Sequence, residues 1–198
     1  GDRIMVDWDG KTMKVHDRSL NQNVTAYMFV AVLPFSMYCY VEACPHMDSK
    51  NWINCHIHAF EYFGGVSRIL VPDNLKTGVI EHKKYEDPVL NKSYQEMADY
   101  YGMAIIPARV KKPKDKGAAE GSVFSVATTI IGKLRNRTFF TFESLNKAIY
   151  IELNKLNNEE FQKREGSRKS VYMDEEKDFM NPLPEHPFEL SEWKMATV

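Results

Sequence analysis

Three carboxylates at widely separated positions, Asp7, Asp73 and Glu120, could act together in one reaction. Asp7 lies in an apolar strand pattern, Asp73 follows a second apolar run, and Glu120 opens a helical pattern. Carboxylate oxygens are ligands that Mg²⁺ prefers, and a pair of such ions stabilises phosphoryl transfer. The three acids therefore outline a two-metal phosphoryl-transfer site, provided that their elements pack on one sheet.

The segment before Asp73 is the most informative stretch of the chain. Gly64 and Gly65 predict the end of a helix, because glycine tolerates the left-handed conformation of a helix C-terminus. The apolar run over residues 69–72 predicts a buried strand that stops at Pro72, which cannot donate to a sheet ladder. Open α/β sheets form ligand sites at such strand ends. Taken alone, Asp73 is also compatible with a turn-capping residue, since Asp is common in turns.

Other acids compete for the first and third of these positions. Asp9 shares a strand face with Asp7, because alternate residues of a strand point to one side. Asp9 also precedes Gly10, and this Asp-Gly pair predicts a tight turn, so we favour Asp7 as the ligand. Two alternatives for the third position, Asp115 and Glu86, lie in predicted loops without an anchoring helix.

The elements that position these acids alternate along the chain. Strand patterns occupy residues 3–9, 11–16, 25–33, 38–43, 69–72 and 104–107, and helical patterns occupy residues 49–63, 91–101, 120–134 and 142–156. Short connections between the early strands indicate an antiparallel meander, and residues 76–87 are predicted as a polar loop. This order predicts an α/β layout, with a central sheet flanked by helices.

Length and charge fit one folded domain. The 198 residues carry a formal net charge of −1, which argues against non-specific coating of DNA. Seven acids lie after residue 170, so the remainder is mildly basic and permits nucleic acid binding. No apolar run has membrane-spanning length, no signal peptide pattern is present, and three cysteines fit a reducing cytosol. Because the chain starts at Gly1 and stops abruptly after Trp193, we expect a piece of a longer protein.

Five residues raise the question of a zinc site: Cys44, His46, Cys55, His56 and His58. Their spacing matches no recognised zinc finger. We also expect Cys55, His56 and His58 to point in different directions on one helix. The favoured interpretation is therefore core packing for the buried members and surface exposure for the other histidines.

Ordered sequence blocks across most of the chain resemble the catalytic core of an IstA-type transposase, from the retroviral-integrase-like superfamily. The blocks are V-D-W at 6–8, F-E-Y-F-G-G-V at 60–66, V-P-D-N-L-K-T at 71–77, L-N-x-x-Y at 90–94, Y-G-x-A-I-x-P-A-R at 101–109, P-K-D-K at 113–116, E-G at 120–121, G-S-R at 166–168 and N-P-L-P at 181–184. The resemblance implies a ribonuclease H-like fold with a central mixed five-stranded sheet. Departures next to V-D-W and at Gly117 leave the three acids intact.

The same resemblance implies a catalytic Asp-Asp-Glu triad at Asp7, Asp73 and Glu120, holding two Mg²⁺ or Mn²⁺ ions. The implied activity is that of a DDE-type polynucleotidyl transferase. Water first frees a 3′-hydroxyl at the transposon end, and that hydroxyl then attacks target DNA. Basic and polar residues next to the acids are candidates for phosphate contact, with solvated surface charge as the alternative. These predicted DNA-binding residues are Asn74, Lys76, Arg109, Lys114 and Lys116.

Domain limits and partners follow from the resemblance as well. We expect residues 1–158 to form the catalytic core, and the acidic, proline-containing residues 159–198 to form an extended linker towards a C-terminal domain. Expected partners are transposon-end and target DNA, an AAA+ ATPase helper and further copies in a synaptic complex, in a bacterial cytoplasm at the nucleoid, with no membrane. Two alternatives stay open: a non-catalytic DNA-binding or assembly module of a domesticated transposase, and a ribonuclease H-like nuclease that only hydrolyses.

Overall fold

The computed structural model describes residues 1–72, 79–81, 89–107 and 120–190. Its strands are β1 (Arg3–Asp17), β2 (Gln22–Val32), β3 (Cys39–Cys44), β4 (Ile69–Pro72), β5 (Val79–Glu81), β6 (Val89–Leu90) and β7 (Ala104–Ile105). Among these residues, five strands form one sheet in the order β3-β2-β1-β4-β7, and β5 pairs with β6 separately. The first three strands pair antiparallel, whereas β1–β4 and β4–β7 are parallel pairs. The predicted meander and the mixed five-stranded sheet are both confirmed.

The helices are α1 (Ser49–Phe63), α2 (Lys92–Tyr100), α3 (Glu120–Leu134), α4 (Phe142–Asn158) and the short α5 (Arg168–Val171). The first four match the predicted helices. The Asp48 side chain caps α1 by accepting from the Asn51 backbone N–H, which satisfies an amide of the first turn. Gly64 ends α1 with φ 71°, the left-handed conformation that glycine adopts at little cost. Within the described ranges, none of the helices has the length and apolar character needed to cross a bilayer.

The central sheet separates two apolar cores. The first core packs α1 and α2 against one face of the sheet and contains Phe29 and Trp52. The second core packs α3 and α4 against the other face, around Val30, Ile130 and Ile149. Neighbouring β2 residues enter different cores because strand side chains alternate between faces. Each fully buried large apolar side chain contributes about 1.5–3 kcal/mol, so these two layers are the main source of stability.

Two asparagines of α4 cover the exposed edge of β3. The Asn157 side chain accepts from Cys39 N at 3.3 Å and donates to Cys39 O at 2.8 Å. About three turns earlier in the helix, Asn146 accepts from Ala43 N at 2.7 Å and donates to Ala43 O at 3.0 Å. Edge strands otherwise present unpaired backbone groups to other chains. These amides therefore take the place of a missing neighbouring strand.

The hairpin predicted at Asp9 and Gly10 is absent, because β1 continues from Arg3 to Asp17. Asp9 pairs with Met28 and Thr12 pairs with Tyr27, so two residues of β1 are extra at this point. The extra residues form a β-bulge. The Asp-Gly signal is local, whereas pairing with β2 on both sides of the bulge keeps the strand continuous.

The polar loop predicted over residues 76–87 contains a strand where the structure describes it. Residues Val79–Glu81 form β5, which pairs antiparallel with β6. The other residues of the predicted loop lie outside the described ranges.

The segment after α4 differs from the extended linker that we predicted from residue 159. Tyr172 is 2% exposed, stacks on Tyr38 with ring centroids 4.7 Å apart, and donates its hydroxyl to Phe63 O. Further along, Asn181 forms a β-bridge with Val66. Apolar side chains spaced among the polar residues reach the first core, at Met180, Leu183, Phe188 and Leu190. Residues 167–190 therefore belong to the folded body.

Candidate active site

Asp7 lies in β1, between the antiparallel and the parallel parts of the sheet. Its backbone pairs with Val30 of β2. On the other side β1 pairs with β4, where Val6 lies opposite Pro72. The Asp7 side chain is partly exposed. Asp73 is the next residue after Pro72 in the sequence and lies outside the described ranges.

The Asp7 side chain lies on the face of the sheet that α3 covers. Directly opposed residues of an antiparallel pair point to the same face, and Val30 belongs to the core beneath α3 and α4. Helix α3 packs on β1 and β2 and begins at Glu120. The Glu120 side chain is not among the described ones. The structure therefore shows where the helix of Glu120 begins and which face of the sheet this helix covers.

Asp9, the alternative to Asp7, has a local structural role. It is 6% exposed, and its Oδ1 accepts from the Lys11 backbone N–H at 2.7 Å. Burial raises the pKa of the Asp9 carboxyl, and the hydrogen bond from Lys11 opposes part of that rise. The contact spans the bulge in β1, so Asp9 stabilises an irregular piece of backbone. This role fits our preference for Asp7 as the ligand.

The remaining predicted site residues lie outside the described ranges. They are Asp73, Asn74, Lys76, Arg109, Lys114 and Lys116, together with the alternative acids Glu86 and Asp115. For these residues the roles stay predictions from the sequence.

His56, one of the residues weighed as a zinc ligand, is a core residue as expected. It is fully buried, with Nδ1 2.7 Å from Trp52 O and Nε2 3.2 Å from the Tyr94 hydroxyl. Burial lowers its pKa to about 3, so the ring is neutral at physiological pH. Aromatic rings of the first core surround it, including Phe29 and Phe60. His46 is exposed.

Cys44 and Cys55 meet beside the first core, with their Sγ atoms 3.1 Å apart. Glu42 joins them, and the Glu42 Oε2 atom lies 3.0 Å from Nδ1 of His58. Our expectation that Cys55 and His58 point in different directions is wrong, because residues three apart on a helix share a side. Sequence reasoning missed Glu42, although its alternation with Cys44 on one strand places both on one face. Burial and the neighbouring Cys44 raise the pKa of the Cys55 thiol.

Comparison with known proteins gives the family directly. The integrase core domain family matches residues 6–113 of the chain. The protein y4uI of Sinorhizobium fredii, which is named as a transposase, is 37% identical over the whole chain. The transposase for insertion sequence element IS21 of Pseudomonas aeruginosa is 25% identical over 99% of the chain. The chain spans 38% of the length of y4uI and 48% of the length of the IS21 transposase.

Solved structures give the fold. The catalytic core domain of HTLV-2 integrase, solved in complex with magnesium, matches 85% of this chain and 94% of its own, with a TM-score of 0.57 at 15% identity. The catalytic core domain of BIV integrase matches 87% of this chain and 95% of its own, with a TM-score of 0.58 at 13% identity. The predicted ribonuclease H-like fold of integrase catalytic cores is thus confirmed. The sequence and the fold of this chain together place it in the integrase core domain family.

Proposed function

We propose that the chain is the catalytic core of a DNA transposase that cleaves transposon ends and joins them to target DNA. The observation that supports this most is the parallel pairing of Val6 with Pro72, since each of these residues is followed directly by a proposed catalytic acid. Ligand sites of open α/β sheets form beyond the carboxyl ends of parallel strands. Similarity to named transposases over the whole chain supports the same reaction.

The proposed catalytic residues are Asp7, Asp73 and Glu120. Carboxylates supply hard oxygen ligands, which suit Mg²⁺ or Mn²⁺ and not the softer metals that thiols bind. Together, Asp7, Asp73 and Glu120 would hold two such ions. Bound ions would polarise the phosphodiester and stabilise the attacking and leaving oxygens. The magnesium in the HTLV-2 integrase core belongs to that protein, and it supports the choice of metal here.

Two of the three acids, Asp7 and Glu120, would be held by rigid elements. Asp7 is fixed by β1, which is paired on both sides by β2 and β4. Glu120 belongs to the first turn of α3, a helix anchored by the buried side chains of Val126, Ala127 and Ile130. Rigid supports matter because carboxylates held close together repel one another unless a cation lies between them. Their elements therefore supply the positioning that the side chains alone lack.

The proposed DNA contacts are Asn74, Lys76, Arg109, Lys114 and Lys116, all close in sequence to Asp73 or Glu120. Contacts to phosphates fix the register of a nucleic acid without reading its sequence. Neutralising one of these lysines should weaken binding to DNA ends of any sequence. It should also reduce the salt dependence of binding by about one counterion.

The wider assembly is part of the same proposal. Partners would be transposon-end DNA, target DNA, further copies of the chain in a synaptic complex and an AAA+ ATPase helper, in the bacterial cytoplasm at the nucleoid. Residues 1–158 would form the core proper, and the segment from 159 would lead towards a C-terminal domain. Residues 167–190, which pack on the core, would then lead the chain along a fixed path towards that domain.

Labelled transposon-end DNA incubated with the protein and Mg²⁺ or Mn²⁺ tests the proposal. The full-length protein should be assayed beside the isolated chain, because the chain spans only 38% of its relative y4uI. Joined products support a transposase, nicks alone support a hydrolytic nuclease, and intact DNA supports a non-catalytic module.

A matched pair of variants assigns the reaction to the site. Glu120→Gln should abolish strand transfer and leave folding intact, as measured by circular dichroism. Glu143→Gln neutralises an exposed acid in the first turn of α4 and should leave strand transfer unchanged. Strand transfer retained by Glu120→Gln would remove this residue from the triad.

A further inference from the structure

A second group of metal-binding side chains lies between the edge strand β3 and helix α1. Glu42 and Cys44 are two residues apart on β3, and Cys55 and His58 are three residues apart on α1. Strand alternation and helical periodicity each place their pair on one side of its element. The two elements bring the pairs face to face.

Three of the four side chains lie close together, and His58 joins the group through Glu42. The Sγ atoms of Cys44 and Cys55 are 3.1 Å apart, and potential ligand atoms of Glu42, Cys44 and Cys55 all lie within 4.8 Å of one another. His58 Nδ1 lies 3.2 and 3.0 Å from the two carboxylate oxygens of Glu42. We propose that Glu42, Cys44, Cys55 and His58 form a structural site for Zn²⁺.

The donor set fits zinc better than the ions proposed for the catalytic site. Zinc binds thiolate, imidazole and carboxylate in tetrahedral sites, whereas Mg²⁺ prefers oxygen ligands alone. With Zn–S bonds of about 2.3 Å and tetrahedral angles, two ligand sulfurs lie roughly 3.8 Å apart. The observed Sγ–Sγ distance of 3.1 Å is shorter, so the two cysteine side chains would rotate apart when an ion binds. All four donors come from regular elements, and the His58 ring, which contacts Glu42, would turn towards the sulfurs to complete the set.

The surroundings of the group support a closed, structural site. Cys44 is 5% exposed and Cys55 is 1% exposed, so solvent reaches the sulfurs poorly. The Tyr40 hydroxyl donates to Glu42 Oε2 at 3.0 Å, the kind of second contact that orients a ligating carboxylate. His58 is half-exposed and marks the side from which an ion enters.

This site is separate from the proposed catalytic one. Glu42 lies opposite Phe29 in the sheet, on the face covered by α1, whereas Asp7 lies opposite Val30 on the face covered by α3. An ion here would join the edge strand to α1 and hold the first core closed. The inference does not rest on the transposase proposal, because no step of that reaction uses these residues.

Titration of the reduced chain with Co²⁺ tests the site, because thiolate-bound cobalt gives a charge-transfer absorption that carboxylate-bound cobalt lacks. We expect this absorption to saturate at one ion per chain and to be displaced by Zn²⁺. Cys44→Ser and Cys55→Ser should abolish it, whereas Cys39→Ser, a buried cysteine outside the group, should keep it. Zn²⁺ should also raise the thermal midpoint of the unmodified chain and leave that of Cys55→Ser unchanged.

Two milder variants keep the test valid if a cysteine variant fails to fold. Glu42→Gln and His58→Ala retain both thiols and should weaken Co²⁺ binding by at least about tenfold, while the exposed His46→Ala should not. The site is overturned if the unmodified chain gives no charge-transfer absorption, or if that absorption survives in a folded Cys44→Ser variant. It is also overturned if thiol counting on freshly purified protein finds Cys44 and Cys55 joined in a disulfide.

Discussion

The two faces of the central sheet hold their polar groups in different ways. On the α1 face, His56 is fully buried and is satisfied within the core by the carbonyl of Trp52 and the hydroxyl of Tyr94. On the α3 face, Asp7 is partly exposed, next to the strand whose last residue is Pro72. A buried polar group with internal partners stabilises a fold. The Asp7 carboxylate is held by a strand paired on both sides and is partly exposed, so we assign the proposed chemistry to the α3 face.

The largest effect should come from Asp7→Asn. If Asp7 helps to hold the metal ions, strand transfer should fall by at least about a thousandfold, because the amide binds Mg²⁺ weakly. The free energy of unfolding is measured beside it, so that a loss of activity can be told from a loss of structure. Gel assays of joined products and urea denaturation measure the two quantities.

Asp9→Asn is the matched control on the same strand face. The amide oxygen can still accept from the Lys11 backbone N–H, so strand transfer should stay within a few-fold of the unmodified chain. The assignment of Asp7 would be reversed if Asp9→Asn lost activity and Asp7→Asn kept it.

Trp52→Ala should give the largest loss of stability. Trp52 is fully buried on the α1 face and contacts the rings of Trp8, Phe29 and Tyr94. Removal of such a side chain costs about 3–5 kcal/mol of unfolding free energy. Tyr150→Ala, at a 52% exposed position, should cost far less in the same urea titration. Equal losses would contradict the placement of Trp52 in a stabilising core.

Asn157→Ala should cost about 1–3 kcal/mol, because it leaves the buried Cys39 backbone N–H and C=O without partners. Asn158→Ala removes an exposed amide that donates to Asn154 O in its own helix. Thermal or urea denaturation should separate the two neighbouring variants. A similar loss in both would show that the cover on the β3 edge contributes little.

The smallest predicted effect is a pH dependence from His56. Its folded pKa of about 3 lies below the usual 6.5, so the unfolded chain binds more protons between these values. Stability should therefore fall as pH drops below 6.5, by about 1 kcal/mol per pH unit. His56→Gln should flatten the curve of unfolding free energy between pH 6.5 and pH 5.

His58 has the opposite sign and serves as the comparison. The hydrogen bond to Glu42 raises its pKa, so its contribution is present below its unfolded pKa and is lost as pH rises through the folded value. His58→Gln should therefore steepen the loss of stability on acidification, where His56→Gln reduces it. The same slope in both variants would contradict the burial of His56.

Local chemistry made most of the fold predictable, and long-range packing explains the exceptions. Three features depend on residues within one turn of the chain, so the sequence signals them directly. They are the cap of α1 at Asp48, the end of α1 at Gly64 and the end of β4 at Pro72. The Asp9-Gly10 turn signal was overridden because β2 pairs with β1 on both sides of it. Tyr172 looked like part of a polar linker, since nothing near it in sequence reveals its stacking partner Tyr38.

The two candidate sites also differ in how far local sequence patterns predict them. The three acids were predicted from local patterns, namely a strand around Asp7, the apolar run before Asp73 and the start of a helix at Glu120, and their convergence on one site stays a prediction. The group around Glu42 was missed because its members belong to a strand and a helix whose mutual packing no local pattern specifies. Only the pairing of β3 with β2, and of α1 with that face, brings Cys44 next to Cys55.

Anomalous diffraction from crystals of the protein with transposon-end DNA and Mn²⁺ tests the central claim most directly. We predict two adjacent manganese peaks at the α3 face, with carboxylate oxygens of Asp7, Asp73 and Glu120 about 2.0–2.2 Å from them. Peaks that lack Asp7, or acids too far apart to share an ion pair, would contradict the account.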